Sequence, residues 1–310
     1  MEPQIEPIVI DTVMHGRPGI TGCFVVAGEQ TALVETGPKS RVETVLAALD
    51  AHGIDDLDWI VVTHIHLDHA GAAGTLAQRF PGAQVAVHEV GAPHLVDPSK
   101  LWSSAARIYG EQMEALWGGI DPIDEGRIRI LADGDVVDLG GRSLTAVETP
   151  GHARHHHCYL DSATGALFTG DALGVRLPDL GVVRPATPPP EFNLGDAVAS
   201  IEKIRSLRPE RLILTHFGPA DDAPVGEVCD DAVAALRQWE SWVRTARAET
   251  EDLDAATAVV KQHARAALEE GLTPEQVDRM DQTTSYRMNT WGYMRYLDRQ
   301  EGGGKSAARA

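Results

Sequence analysis

The stretch His64-Ile65-His66-Leu67-Asp68-His69 sets three imidazoles and one carboxylate within six residues. Neutral imidazole and carboxylate are good ligands for zinc, and also for iron or manganese. On extended backbone His64 and His66, two positions apart, point the same way, and Asp68 continues that alternation. His69 turns to a second direction once the chain enters a helix, so one short loop can serve two ions. A single histidine at a strand end is ordinarily a surface or packing residue. Burying three of them with an acid and no partner would be costly, which makes metal binding the better reading of this loop. Three more strand ends carry residues of the same type: Gly151-His152 after 143–149, Gly170-Asp171 after 166–169, and His216 after 211–215. Strand ends are where ligand sites gather in α/β sheets. The set His64, His66, Asp68, His69, His152, Asp171 and His216 supplies donors for two ions, which in such sites lie about 3.5–4 Å apart.

Other histidines lack that logic. In His152-Ala153-Arg154-His155-His156-His157, His155 and His157 alternate away from His156 on extended chain and are read as surface polar residues. His15, His88, His94 and His263 show no ligand spacing and are read as structural. No G-x-S-x-G nucleophile elbow, P-loop or G-x-G-x-x-G motif is present.

Alternating strands and helices must position these groups. Residues 8–13, 23–27, 31–35, 59–63 and 84–88 read as strands, with 28–30 turning a hairpin. Ser40 and Glu43 form a candidate capping box for a helix whose apolar stripe is Val42, Val45, Leu46 and Leu49, and Gly53 is its natural stop. The run 59–63 is apolar throughout, as in a strand covered on both faces, and leads straight into His64. A helix is expected over 71–80. Residues 92–125, with Trp102, Tyr109, Met113 and Trp117 among polar neighbours, read as a helical insertion that either packs on the body or walls a pocket. Strands resume at 135–139, 143–149, 159–160, 166–169 and 211–215, with a helix over 196–207 and a proline-rich connection at 185–190. Beyond Pro224 the pattern is helical, with Thr273, Pro274 and Gln276 marking the start of a third helix. Core packing is the expected role of Tyr286, Met288, Trp291 and Tyr293.

Composition sets the outer bounds. The 310 residues are 43% hydrophobic and 24% charged, with a net charge of −19. A body this acidic repels phosphate backbones, and nucleic acid is not an expected partner. Cys23, Cys158 and Cys229 are odd in number and widely spaced, which fits buried thiols in a reducing cytoplasm rather than a disulfide framework. The acidic start, residues 1–6, has the composition of no signal peptide, no apolar run approaches the ~20 residues of a membrane span, and residues 301–310 read as a disordered tail.

Taken together, His64-x-His66-x-Asp68-His69, Gly151-His152, Gly170-Asp171 and Thr215-His216 resemble the metallo-β-lactamase-fold metallohydrolase superfamily, which includes glyoxalase II-type thioesterases, acyl-homoserine lactonases and RNase Z. The resemblance spans roughly residues 5–222, and Leu33-Val34-Glu35-Thr36-Gly37 corresponds to an early turn with Glu35 in place of the usual Asp. It implies an α/β fold, a four-layer αββα sandwich over residues 1–223, with the insertion at 92–125 and a helical extension, 224–300, packed on it. It also implies that His64, His66 and His152 hold one metal, that Asp68, His69 and His216 hold the other, and that Asp171 bridges, with His156 orienting the site. The expected cofactors are two divalent ions, Zn2+ first and Fe or Mn next. Between them a hydroxide would attack an ester, thioester or lactone carbonyl, with Asp68 orienting the nucleophile. Trp102, Tyr109 and Trp117 are candidate pocket residues for a partly apolar small-molecule substrate. The arrangement looks nearest to glyoxalase II-like hydrolases, though the basic residues that bind a glutathione thioester are not evident. Three rival readings stand beside it: a mononuclear-iron persulfide dioxygenase or other oxygen-handling member, an RNase Z-like nuclease, and a non-enzymatic metal-binding protein. No membrane partner is expected, and a homodimer is left open.

Overall fold

Period-two alternation builds the first sheet. In the segment 22–27, Cys23 and Val25 join one apolar cluster while Phe24 and Val26 join another. The same split recurs at Leu33 against Ala32 and Val34, at Ile60 and Val62 against Val61, and at Val85 and Val87 against Ala86. Strands with both faces buried must be apolar at every position, which is why 59–62 reads as an unbroken run. A computed structural model describes residues 5–307. Residues 1–4 of the acidic start and 308–310 of the expected tail lie outside the described residues.

The chain forms two compact units. The first comprises the chain up to Glu148, His155–Gly170 and Pro209–Pro219. It holds a six-stranded sheet in the order β1 (Ile8–Asp11), β2 (Gly22–Ala27), β3 (Thr31–Val34), β4 (Trp59–Val61), β5 (Gln84–His88) and β6 (Ile128–Leu131). Here β1 to β3 are antiparallel, and β3 to β6 are parallel. The edge strand β6 is a strand that the pattern reading omits, and Ile130 on it is exposed.

A second six-stranded sheet of the same unit combines β7 (Val136–Asp138), β8 (Ser143–Glu148), β9 (His157–Asp161), β10 (Ala166–Phe168), β13 (Arg211–Leu214) and β14 (Gly218–Pro219), in the order β14-β13-β10-β9-β8-β7. The sheets meet through Phe24, Val34, Val61, Leu144, Tyr159 and Phe168, with the Phe24 and Phe168 rings 5.5 Å apart. Against the other face of the first sheet lie α1 (Val42–Ala51), α2 (Leu67–Ala70), α3 (Ala73–Arg79) and α4 (Ala92–Val96), through Val45, Leu49, Leu76 and Leu95. The capping box expected at Ser40 does not form. Arg41 is the N-cap of α1, and the Ser40 hydroxyl donates to the Leu116 carbonyl at 2.7 Å, because a 3-10 turn over Lys39–Arg41 delays the helix. Gly53 ends that helix region at φ 71°, as expected.

The 92–125 insertion is helical: α4, then α5 (Ser99–Tyr109) and α6 (Met113–Trp117). Its apolar face clusters Met113 and Trp117 with Met14, Ile20 and Leu67, and Trp102 and Tyr109 pack half-buried against them.

The second unit comprises Thr149–Arg154, Asp171–Arg208 and the chain from Ala220. It contains an antiparallel hairpin, β11 (Val175–Leu177) with β12 (Val182–Arg184), and the helices α7 (Leu194–Leu207), α8 (Val225–Glu249), α9 (Leu253–Glu269), α10 (Pro274–Asp281) and α11 (Tyr286–Ala307). The hairpin is a further element the pattern reading omits. The helices begin where their chemistry dictates: Asn193 accepts from Gly195 and Asp196 N–H, Asp252 from Ala255 N–H, and Thr273 with Gln276 closes a capping box. Val228, Ala232, Leu236, Trp239 and Val243 form the buried stripe of α8. Tyr286 and Tyr293 are buried in packing roles. The helix α11 takes in part of the stretch read as a tail. Among the described residues no helix is long and apolar enough to cross a membrane.

Candidate metal centre

The loop after β4 carries the densest chemistry. The strand ends at Val61, the backbone bends at Thr63, His66 is extended (φ −63°, ψ 153°), and the short helix α2 begins at Leu67. The change from period two to helical period turns Asp68 and His69 away from the line of His64 and His66. His64 Nε2 and His66 Nδ1 lie 2.9 Å apart. Asp68 Oδ2 lies 3.7 Å from His69 Nε2 and 3.5 Å from His216 Nε2. One ligand atom from each of Asp68, His69 and His216 falls within 4.8 Å of the others. Donors bound tetrahedrally at zinc distances sit about 3.3 Å apart, so these spacings fit a shared ion.

Orientation strengthens that fit. His64 Nδ1 contacts Thr63 Oγ1 at 3.0 Å, His69 Nδ1 contacts Glu35 Oε1 at 3.0 Å, and His216 Nδ1 contacts the Ile20 carbonyl at 2.6 Å. In the second unit His152 follows the same rule, with Nδ1 on the Ala186 carbonyl at 2.9 Å and Nε2 3.5 Å from Asp171 Oδ2. Each ring thus spends Nδ1 on a protein oxygen and directs Nε2 at a candidate donor. That polarity is what metal-ligating histidines show, because the outer hydrogen bond fixes tautomer and ring plane. The His/Asp cluster is capable of binding metal ions. The first unit carries His64, His66, Asp68, His69, His216 and His156, and the second carries His152 and Asp171.

Glu35 is the support that sequence reasoning left least defined. It is fully buried and sits at φ 63°, a left-handed conformation that costs a non-glycine residue on the order of 1 kcal/mol or more. The carboxylate accepts from Thr63 Oγ1 at 2.6 Å, Thr63 N–H at 3.3 Å and Thr215 Oγ1 at 3.1 Å, in addition to its contact with His69. One acid therefore ties together residues preceding two candidate ligands and the ring of a third. A legible signal existed: Thr-His occurs at both 63–64 and 215–216. The negative charge also reaches the core. Burial first, then Glu35, pushes the Cys23 thiol and the Tyr159 phenol well above their ordinary ranges. Both are thereby kept neutral, and Tyr159 donates to the Val62 carbonyl at 3.0 Å.

The 155–157 segment needs correction. His155 and His157, read as surface residues, are both buried. His155 stacks on His64 with centroids 6.1 Å apart and meets His66 edge-on at 5.7 Å. His157 belongs to β9, where its ring lies 4.7 Å from that of His88. For His157 the reason is that β9 starts two residues before the expected strand, whereas His155 precedes the strand and is covered by the rings of His64 and His66. His156 is fully buried with its ring 5.1 Å from His64. A Cβ at Gly170 would fall 2.5 Å from His156 Nε2 and 2.6 Å from Thr63 Oγ1, and Gly170 has φ 49°, so glycine is required there. His15 and His263 are exposed, and His94 is half-buried. His88 is buried, with Nε2 3.4 Å from Glu148 Oε1. All three cysteines are free and buried, and burial raises Cys229 to about 11.

Trp102, Tyr109 and Trp117 come together, Trp117 meeting Tyr109 edge-on at 5.0 Å. Their cluster includes Leu67, which stands between His66 and Asp68, and Ile20, whose carbonyl holds His216. An apolar wall therefore adjoins two segments of the same unit that carry candidate ligands.

Geometry of this kind defines a class. A family model described as the metallo-beta-lactamase superfamily matches residues 16–216, and the chain belongs to that superfamily. It has the metallo-β-lactamase fold, with a helical insertion and C-terminal helices. Among particular relatives, it is 31% identical over 206 residues to the metallo-beta-lactamase fold-containing protein ST1585 of Sulfurisphaera tokodaii, covering 65% of this chain and 74% of that one. The crystal structure of ST1585 superposes with a TM-score of 0.64 at 28% identity, covering 76% of this chain and 87% of that one. A metallo-beta-lactamase family protein of Thermus thermophilus, TTHA1429, matches in fold over 96% of this chain and 94% of its own, with a TM-score of 0.68 at 21% identity. An atrochrysone carboxyl ACP thioesterase of Aspergillus fumigatus is 28% identical over 168 residues, 52% of this chain and 44% of its own length.

Proposed function

We propose that this protein is a dinuclear metal-dependent hydrolase acting on an ester, thioester or lactone with an apolar acyl or ring portion. The observation that carries the reading is the uniform polarity of His64, His69, His216 and His152, each with Nδ1 on a protein oxygen and Nε2 toward a candidate donor. Its superfamily and the thioesterase name of one relative support hydrolysis of an acyl bond. In this reading His64, His66 and His152 would hold one ion and Asp68, His69 and His216 the other, with Asp171 as a further oxygen donor, a set that suits divalent metals. Bound there, two divalent ions, Zn2+ in the first instance, supply Lewis acidity and make water acidic enough to act near neutral pH.

The remaining work falls to the chain. Asp68, with one side-chain oxygen toward His69 and His216, is placed to orient the attacking water. Glu35 holds the His69 ring and both threonine-histidine pairs in register, so the donors need no rearrangement when substrate arrives. Trp102 and Tyr109, half-buried over the buried Met113 and Trp117, offer the surface against which an apolar portion of the substrate packs beside Leu67.

Elemental analysis of purified protein, followed by a panel of p-nitrophenyl esters, thioesters, lactones and nitrocefin with and without chelator, tests this reading. Two ions per chain and a chelator-sensitive ester or thioester activity are expected. Activity that survives complete metal removal sinks it. Oxygen consumption with a persulfide, in the absence of hydrolysis, replaces it with the dioxygenase reading.

A further inference from the structure

The second unit contains a hollow of about 460 Å3 between α8, α9 and the β12 strand. It is open to solvent, since Ala234, Gln238, Ala267 and Gly271 on its lining are exposed. It falls within the roughly 300–1,000 Å3 typical of small-molecule pockets. Sequence explains why it stays open. Two alanines of α8, Ala234 and Ala235, and two of α9, Ala264 and Ala267, line it, and Gly271 extends the gap past the end of α9. Larger residues at those positions would close it.

Its aromatic wall is Trp239 and Trp242. The Trp239 ring stacks on Tyr286 with centroids 5.8 Å apart and planes 15° apart, and Trp242 stacks on His263 at 6.3 Å and 8°. The two indoles meet at 6.0 Å and 57°, forming a tilted pair. The one buried cation on the lining is spent elsewhere. Arg184 donates to the Met280 carbonyl at 2.7 Å, to Asp281 Oδ1 at 3.0 Å and to the Tyr286 hydroxyl at 2.6 Å. The wall therefore offers indole surface, small aliphatic groups and the Gln238 amide, with no uncompensated positive charge, in a chain of net charge −19.

We infer that this hollow is a second ligand site, one that takes an uncharged, mostly apolar small molecule containing a planar ring. A mostly apolar groove of this volume suits such a ligand, and an anion would find neither a free cation nor a favourable field. The site lies wholly within the second unit and does not depend on the hydrolase reading.

The neutral fluorophore N-phenyl-1-naphthylamine, titrated into the full chain with and without chelator, reads the site through energy transfer from the indoles. Saturable binding of one probe per chain is expected, unchanged by chelation. Ala267→Phe, at an exposed position of α9, should weaken it about tenfold or more by filling the space, with metal content unaltered. Gln238→Trp, also at an exposed position, serves as the second blocking variant if the first fails to fold. Binding without saturation, or binding of equal strength in a folded blocking variant, overturns the inference. So does a wild-type dimer that a blocking variant splits, since a second copy of the chain would then be what covers the hollow.

Discussion

The loop 64–69 and the hollow between α8 and α9 are built on opposite principles. The loop is crowded: His64 lies 4.0 Å from the His69 ring and 4.5 Å from His66, and protein oxygens on Glu35 and Thr63 hold the polar rings in place. The hollow is made by what is missing, since alanine and glycine stand where a close-packed helical unit would carry larger side chains. Crowding imidazoles costs desolvation and is tolerated where a bound cation offsets it. Leaving a hollow forfeits dispersion contacts, and is tolerated where a ligand can restore them. The difference gives opposite expectations for mutation: changes in the loop should lose function, whereas filling the hollow should gain stability.

The largest expected effect is at the loop itself. His66→Ala should leave fewer than two ions per chain by elemental analysis and lower hydrolysis on the order of 10³-fold, because a Lewis acid contributes several kcal/mol to such a barrier. Retention of both ions in that variant would break the assignment of this loop.

A control within the first unit separates crowding for function from crowding for stability. Arg142 and Asp161 form a buried pair at 2.7 Å with a second contact at 2.9 Å. Burial pushes the Asp161 carboxyl up, but hydrogen bonds from Arg142 and Thr164 outweigh it and hold it below the ordinary range. The sign follows: stability from this pair is present above the unfolded carboxylate's pKa and is lost as pH falls through the lower folded value. Asp161→Asn should cost about 3–5 kcal/mol in denaturant unfolding, leaving Arg142 buried without its anion. Its stability should also depend less on acid than that of the wild type. Metal content should not change, and a loss of metal at equal folding would show that the pair serves the site.

Glu35→Gln comes next. It keeps the shape but removes the charge that His69 Nδ1 and two threonine hydroxyls share. Metal affinity, read by competition with a chelating dye, should fall about 10–100-fold. Unchanged affinity would reduce Glu35 to a packing residue. The smallest expected effect sits in the hollow. Ala235→Leu should raise stability by about 0.5–2 kcal/mol, as cavity filling commonly does. Destabilisation there would mean that the space is smaller or more rigid than its volume implies.

Legibility followed the range of the interactions. His64, His66, Asp68 and His69 were readable because the geometry that joins them is local, a strand period giving way to a helix. His152, Asp171 and His216 were readable as residue types at strand ends and through a superfamily pattern, though nothing in the neighbouring sequence says what each ring touches. The capping box at 273–276 was legible and formed, whereas the equal signal at Ser40 failed because a 3-10 turn over Lys39–Arg41 moves the N-cap to Arg41. His155 and His157 show the same limit: alternation tells which residues share a face, not whether that face is wet.

The sequence by itself determined the metal-ligand residue types and most of the elements, because residue type, period and capping act within a few positions, and the class of fold was legible through the resemblance to a superfamily pattern. Only the tertiary structure decided that Glu35 gathers Thr63, His69 and Thr215 around one carboxylate. It alone decided that Leu67 packs with an aromatic wall beside the loop, and that four alanines on two helices line one groove. Each of these is a meeting of side chains distant in sequence, and such meetings are fixed by packing, for which no local pattern carries a code.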